Sequence, residues 1–285
     1  MTPRAEVEEL KPPSTRFWRS SLWQSVFSRS VFKWSEAEAA PADPLRCDTP
    51  MLRHAEIAAV YSGQRVAGDF YEFLRVGPSR MLFVLLDVAG LRVDTREILI
   101  EVQKTFHTLA PELFAGEDFN ETTAMIELCH EMNLTILHAG LRSCPAFIGC
   151  HNEDLGTVCY ANAGHTPGLL RDGTGITQLE ATGLPLGLFS HTTQSAATCH
   201  LVPGSALLAV SRGIVEADYF DAARQRAEFG LGGVKQSFQH ATAVSARDLC
   251  LTVLQAARMF TPVTPTENDL TALALLRTPP SADAL

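Results

Sequence analysis

No stretch of this sequence stays apolar for the roughly 20 residues that a helix needs to cross a bilayer. Its first residues carry Glu6, Glu8 and Glu9 where a secretory leader carries base. Both absences lead to the expectation of a cytoplasmic chain. Lys and Arg nowhere form a dense patch over the body of the chain and the net charge is -9, so nucleic acid, which is held by clustered cations that release counterions, is excluded as a partner. The seven cysteines are odd in number, never spaced C-x-x-C, and mostly sit in apolar runs. That pattern argues against a disulfide framework or a zinc site and for reduced thiols. What the chain does have is apolar material: 46% of residues are hydrophobic and 19% charged, enough for a sizeable core.

Residues 15 to 34 stand apart. They hold all three tryptophans, four basic residues and no acid. Phe17, Trp18, Leu22, Val26, Phe27 and Val31 recur at helical spacing, with Arg19, Arg29 and Lys33 toward the flanks, which is the pattern of an amphipathic helix. Such a helix docks on a membrane surface, on a partner, or on its own domain, and the sequence leaves all three open. The expected organisation is this helix and a linker over residues 1–45, one domain over 46–278, and a short tail over 279–285.

Within the domain the apolar pattern alternates between short strands and long helices. Strands are expected at 54–61, 66–73 and 80–87, the last so uniformly apolar that both its faces must be covered. Asp94-Thr-Arg-Glu97 reads as a capping box opening a helix that ends at Pro111, and a second helix is expected from about Asp118 to Gly140. Further strands fall near 145–150 and 156–161. Asp172-Gly173 fits a type I′ hairpin turn, and Pro203-Gly204 a turn before the strand SALLAV. Two helices follow, near 230–239 and behind Ser245-x-x-Asp248, and then a strand at 270–277. Antiparallel strands with helices segregated between them give an α+β sandwich of two packed sheets with helices outside.

Six segments carry a more specific signal in this order: AGDFYEF (67–73), LLDVAG (85–90), YANAGHTPGLL (160–170), TGLPLG (182–187), VPGSALLAVSRGIVEA (202–217) and NDLTALALLR (268–277). Together they resemble the SpoIIE-like bacterial branch of the PPM, or type-2C, serine/threonine phosphatases. The resemblance covers roughly residues 50 to 277. It implies an α-β-β-α sandwich with a centre for two Mn2+ or Mg2+ ions that activate water against a phosphomonoester. It also implies a phosphorylated protein or an anti-anti-sigma-like regulator as partner.

Hard cations of this kind want carboxylate oxygens. Carried over residue by residue, the family's catalytic and metal positions fall on Asp69, on Asp87 with the Val88 backbone carbonyl, on Arg212 and on Asn268. Two of four carboxylates are therefore replaced, and a guanidinium at 212 puts a fixed positive charge where a cation should sit. The resemblance thus leaves two expectations: a degenerate phosphatase domain that binds or regulates without turnover, or a phosphatase with a reduced ligand set. The loop Gly90-Leu91-Arg92-Val93-Asp94 also departs from the family's glycine-rich pattern.

Several nearby residues are set aside. Asp94 is expected to be a helix cap and not a ligand. Asp269 is expected to reach the site only if the last strand slips by one residue, which would turn its apolar face outward. His165 is expected to be a hydrogen-bonded turn residue. Ser211, with Asp221 and His240, faintly matches a nucleophile elbow, but the first glycine is missing and no helix is expected directly after Ser211.

Overall fold

The computed structural model describes residues 49–62, 67–116, 119–140, 143–191, 193–220, 225–242, 245–261 and 269–278. All of them fall in one compact unit, Pro44–Leu285. The amphipathic segment 15–34, the linker and the 279–285 tail lie outside the described residues, as do Asn268 and Asp221.

The described strands form two five-stranded antiparallel sheets and one small hairpin. The first sheet runs β1 (Ala55–Ser62), β12 (Leu270–Arg277), β9 (Ala206–Val210), β6 (Gly168–Asp172), β7 (Gly175–Leu179). The second runs β2 (Ala67–Arg75), β3 (Arg80–Leu91), β4 (Ala146–Asn152), β5 (Thr157–Ala163), β8 (Ala197–His200). Helices α1 (Arg92–Phe114) and α2 (Glu121–His138) cover the second sheet, and α4 (Gly230–Gln239) and α5 (Ala246–Phe260) cover the first. A single turn of helix, α3 (Arg212–Val215), and the hairpin β10 (Asp218–Phe220) and β11 (Arg226–Glu228) lie between β9 and α4. This is the expected four-layer α-β-β-α sandwich.

Period-2 alternation explains the layering. In β12, Leu270, Ala272 and Ala274 pack toward α5 while Leu273 and Leu275 pack toward the other sheet. In β3, Leu82, Val84 and Leu86 face the helices while Met81, Phe83 and Leu85 face the middle layer. A strand with apolar residues on both faces is stable only between two layers. Between the sheets, Phe147 stacks on both Phe83 and Tyr160 at centroid distances of 6.3 and 5.7 Å.

Four details differ from the sequence reading. Strand β3 runs on to Leu91 and α1 begins at Arg92, so Asp94 lies in the first helical turn and is not the cap. Pro111 does not end α1, which continues to Phe114 because that ring is buried in the core. The second helix starts at Glu121, where the Asn120 side chain accepts the Thr123 N–H. The hairpin between β6 and β7 pairs Asp172 with Gly175, and neither Gly173 nor Thr174 has the positive φ of a type I′ turn. Instead the Asp172 carboxylate accepts the Thr174 N–H and hydroxyl, both at 2.7 Å, a local bond that sets this turn without left-handed residues at its tip. The Ser245 cap of α5 is as expected: its hydroxyl accepts the Asp248 N–H at 3.1 Å.

Candidate metal centre

Antiparallel pairing brings the start of β2 beside the end of β3, and the start of β12 beside the end of β9, all at one end of the sandwich. Asp69 and Asp87 are direct cross-strand partners. They share the face of the sheet that carries Tyr71, Phe73, Phe83 and Leu85, so both side chains enter the seam between the sheets. The register breaks just before them, with Ala67 opposite Leu91 but Gly68 opposite Val88. A Cβ at Gly68 would lie 2.5 Å from the Val88 carbonyl oxygen, so only glycine lets β2 pass this close. The Val88 carbonyl, one of the expected ligands, therefore lies against the bare Cα of Gly68.

The two carboxylates are engaged by donors from the other sheet. Thr271 at the head of β12 donates its hydroxyl to Asp69 Oδ2 at 2.6 Å. The main-chain N–H of Arg212 donates to Asp87 Oδ2 at 3.1 Å, and the guanidinium Nε of Arg212 is 3.7 Å from the same oxygen. The Arg212 side chain is 53% exposed and its Nε is also 3.7 Å from Glu216 Oε1, so it lies over the mouth of the site and not inside it. The main-chain N–H of Asp87 is held by the Pro145 carbonyl at 2.9 Å.

Burial pushes the Asp69 carboxyl up to about 7, and the charges of Asp87 and Asp269 push the same way against the hydroxyls of Thr271 and Ser211. At neutral pH this carboxyl is poised between its two forms. Desolvation is the larger cause and the neighbouring charges the smaller.

Asp269 is the residue the sequence reading missed. It is buried, accepts the Tyr61 hydroxyl at 3.5 Å, and acts electrostatically on Asp69. No slip is needed, because Leu270 pairs with Ser62 in an unbroken register. Asp269 simply precedes the strand on the face it shares with Thr271, and that alternation was the available signal. The nucleophile-elbow reading fails for a different reason than expected. A helical turn does follow Ser211, but its hydroxyl is fully buried and accepts the Thr271 N–H at 3.0 Å.

His165 is a turn residue, as expected. Its N–H goes to Asn162 Oδ1 at 2.8 Å, and its Nδ1 is 3.1 Å from the Thr166 carbonyl, which fixes the proton on Nδ1 because a carbonyl cannot donate. Burial lowers its pKa, against the Thr166 carbonyl and the Asp87 charge, which raise it. The adjoining Thr166 hydroxyl donates to the Val210 carbonyl, tying this turn of the second sheet to the end of β9, two residues before Arg212. Cys144 lies near Asp87, and burial together with that charge pushes its thiol up.

Two hard dications would call on Asp69, Asp87 and the Val88 carbonyl. The inward oxygens of Asp69 and Asp87 are taken up by hydroxyl and amide donors, and a fixed cation stands over Asp87. Among the described residues no group of three or more His, Cys, Asp or Glu side chains is arranged to hold a metal ion.

Beside this end runs an uncharged loop, 182–190. Leu186 exchanges main-chain hydrogen bonds with Cys144 at 2.7 and 3.0 Å. From α2, the buried Asn133 side chain accepts the Gly187 N–H at 2.8 Å and donates to the Phe189 carbonyl at 3.1 Å. So fastened, the loop presents Leu184, Leu188 and Phe189 to solvent.

Comparison with known proteins agrees with this architecture. The chain is 23% identical to Protein IcfG of Synechocystis over 190 residues, 59% of this chain but 30% of IcfG. Its fold matches the RsbU and RsbW domains of Rv1364c from Mycobacterium tuberculosis with a TM-score of 0.66 at 22% identity, covering 81% of this chain and 62% of that one. It matches the PP2C phosphatase domain with a regulatory fragment of SpoIIE from Bacillus subtilis with a TM-score of 0.61 at 15% identity, covering 79% and 63%. The model of the Stage II sporulation protein E family fits residues 77–278, and with the PPM sandwich and the paired aspartates already in place, the chain belongs to the SpoIIE family of PPM phosphatase domains.

Proposed function

We propose that this domain works as a regulatory or phosphoprotein-binding module of bacterial signalling, with its phosphatase chemistry disabled at the metal centre. The observation that carries this reading is Arg212. Its backbone amide and its guanidinium both address Asp87 Oδ2, in the position where the resemblance calls for a carboxylate. A guanidinium does not deprotonate in a protein, so it opposes a cation at every accessible pH. Asn268 supplies no charge at the fourth position. The apolar loop around Leu184, Leu188 and Phe189 provides surface for a protein partner beside the site. A phosphorylated protein or a regulator of the anti-anti-sigma type fits the family's setting, and residues 15–34 are the candidate second contact, with a partner or a membrane surface. The domain would then act in the cytoplasm or at the membrane periphery. Among the described residues no helix is long and apolar enough to cross a membrane.

The competing reading is a phosphatase that uses Mn2+ or Mg2+ on Asp69, Asp87 and the Val88 carbonyl. What favours it is that Asp69 and Asp87 are direct cross-strand partners, with Val88 next in the same pairing. Calorimetric titration with Mn2+, alongside hydrolysis of a phosphomonoester, separates the two. The wild-type chain is expected to show neither. The double substitution Arg212→Asp with Asn268→Asp is expected to bind Mn2+ and to gain metal-dependent hydrolysis. Manganese-dependent turnover in the wild type, unimproved by the double substitution, overturns the proposal.

A further inference from the structure

Three thiols meet beneath α2, away from the acidic end. Cys150 of β4 and Cys159 of β5 are direct cross-strand partners, and both are fully buried on the face turned toward α2, whose Cys129 packs into the same core. Directly opposed residues of an antiparallel pair have Cα atoms about 4.5–5.5 Å apart. That spacing falls inside the range of about 4.4–6.8 Å found across disulfides. The two Cβ atoms leave the same face of the sheet about 4.5–5.5 Å apart, so the strands must close by up to about 1 Å to reach the Cβ spacing of a disulfide.

Cys159 is the more reachable of the two. It lies one strand in from the edge, opposite Thr198 of the four-residue edge strand β8. Its thiol is hydrogen-bonded by the side chains of Thr198 and of Thr122 in the first turn of α2. Fraying of a short edge strand or of a first helical turn is a low-cost local opening.

We propose that Cys159 and Cys150 form a latent redox site that closes to a disulfide across β4 and β5 when the protein meets a peroxide. In the first step the Cys159 sulfur takes an oxygen from hydrogen peroxide, the O–O bond breaks, and sulfenic acid and one water result. In the second, the Cys150 sulfur displaces that oxygen, the S–S bond forms, and a second water leaves. Two electrons pass from the thiol pair to the peroxide. Burial keeps these thiols protonated, and pushes the neighbouring Cys129 up to about 12. Oxidation is therefore slow and follows opening at the β8 edge. The bond would fix β4, which begins beside the Pro145 carbonyl that holds Asp87, to β5, which leads into the Asn162–His165 turn.

The test is peroxide treatment of the full-length protein, followed by alkylation in denaturant and mass analysis without reductant. The expected result is a loss of two mass units with the Cys150 and Cys159 peptides joined. Cys129→Ala should leave the link intact, and Cys150→Ala or Cys159→Ala should abolish it. The wild-type peptide map stands alone if either of those variants fails to fold. A linkage from Cys159 to Cys129, or oxidation confined to the partly exposed Cys199 while Cys150 and Cys159 remain alkylatable, overturns the proposal.

Discussion

Replacing Arg212 with alanine removes the guanidinium and leaves the main-chain N–H to Asp87 in place, which makes the substitution a clean probe of the charge alone. A fully buried ion pair broken this way costs about 3–5 kcal/mol. Arg212 is not in that regime: its side chain is 53% exposed, and its Nε stands 3.7 Å from both Asp87 and Glu216. Half-exposed pairs at that separation contribute about 0.2–1 kcal/mol each, so the expected loss is about 1 kcal/mol. For a domain of this size that is a fall of about 2–4 °C in melting temperature. The loss should shrink as salt is raised from 0.01 to 0.5 M, since the Debye length falls from about 30 Å to about 4 Å over that range, close to the 3.7 Å separation of the pair. Removing the fixed cation also lifts the barrier to Mn2+, so the variant should be stabilised by millimolar Mn2+ where the wild type is not. Thermal melts at three salt concentrations, with and without Mn2+, read all of this. A loss above 3 kcal/mol that ignores salt, or a variant as indifferent to Mn2+ as the wild type, refutes the reasoning.

Three other substitutions test the frame around the site. Gly68→Ala places a methyl 2.5 Å from the Val88 carbonyl oxygen and should cost about 1–3 kcal/mol in urea denaturation; an unchanged midpoint means β2 can move away. Asn133→Ala strips the Gly187 N–H and the Phe189 carbonyl of their buried partner, with an expected loss of about 1–3 kcal/mol and faster hydrogen exchange at Gly187, whereas exchange as slow as in the wild type means the loop holds itself. For Asp69, the folded carboxyl keeps its proton up to about 7 against an ordinary value of 3.8. Its stabilising contribution is therefore complete below about pH 4 and is lost as pH rises through 7. Compared with Asp69→Asn, the wild type should lose about 2 kcal/mol between pH 4.5 and 8, the residual solvent contact of Asp69 holding the value below the full shift, and a pH-independent difference counts against a raised Asp69.

The sandwich was legible because its signals are local and redundant. Strands such as MLFVLLD announce two covered faces, and six ordered motifs fix the topology around them. Asp69 and Asp87 were legible for the same reason, through motifs on paired strands. What escaped was set by context that a single segment does not carry. Pro111 looks like a helix end until the burial of Phe114 is known. Asp94 looks like a cap until β3 is seen to run directly into α1. Asp269 was judged by its offset from a motif, while its position is decided by which face of β12 it shares with Thr271. The half-exposed pose of Arg212 depends on α3 beginning at that residue, a four-residue helix too short to show a period.

The amide of residue 212, and not its side chain, makes the shorter contact with Asp87. Every residue but proline supplies that N–H, so the contact at 212 does not depend on which side chain stands there. A substitution there changes the charge at the mouth of the site and leaves the amide contact to Asp87 standing.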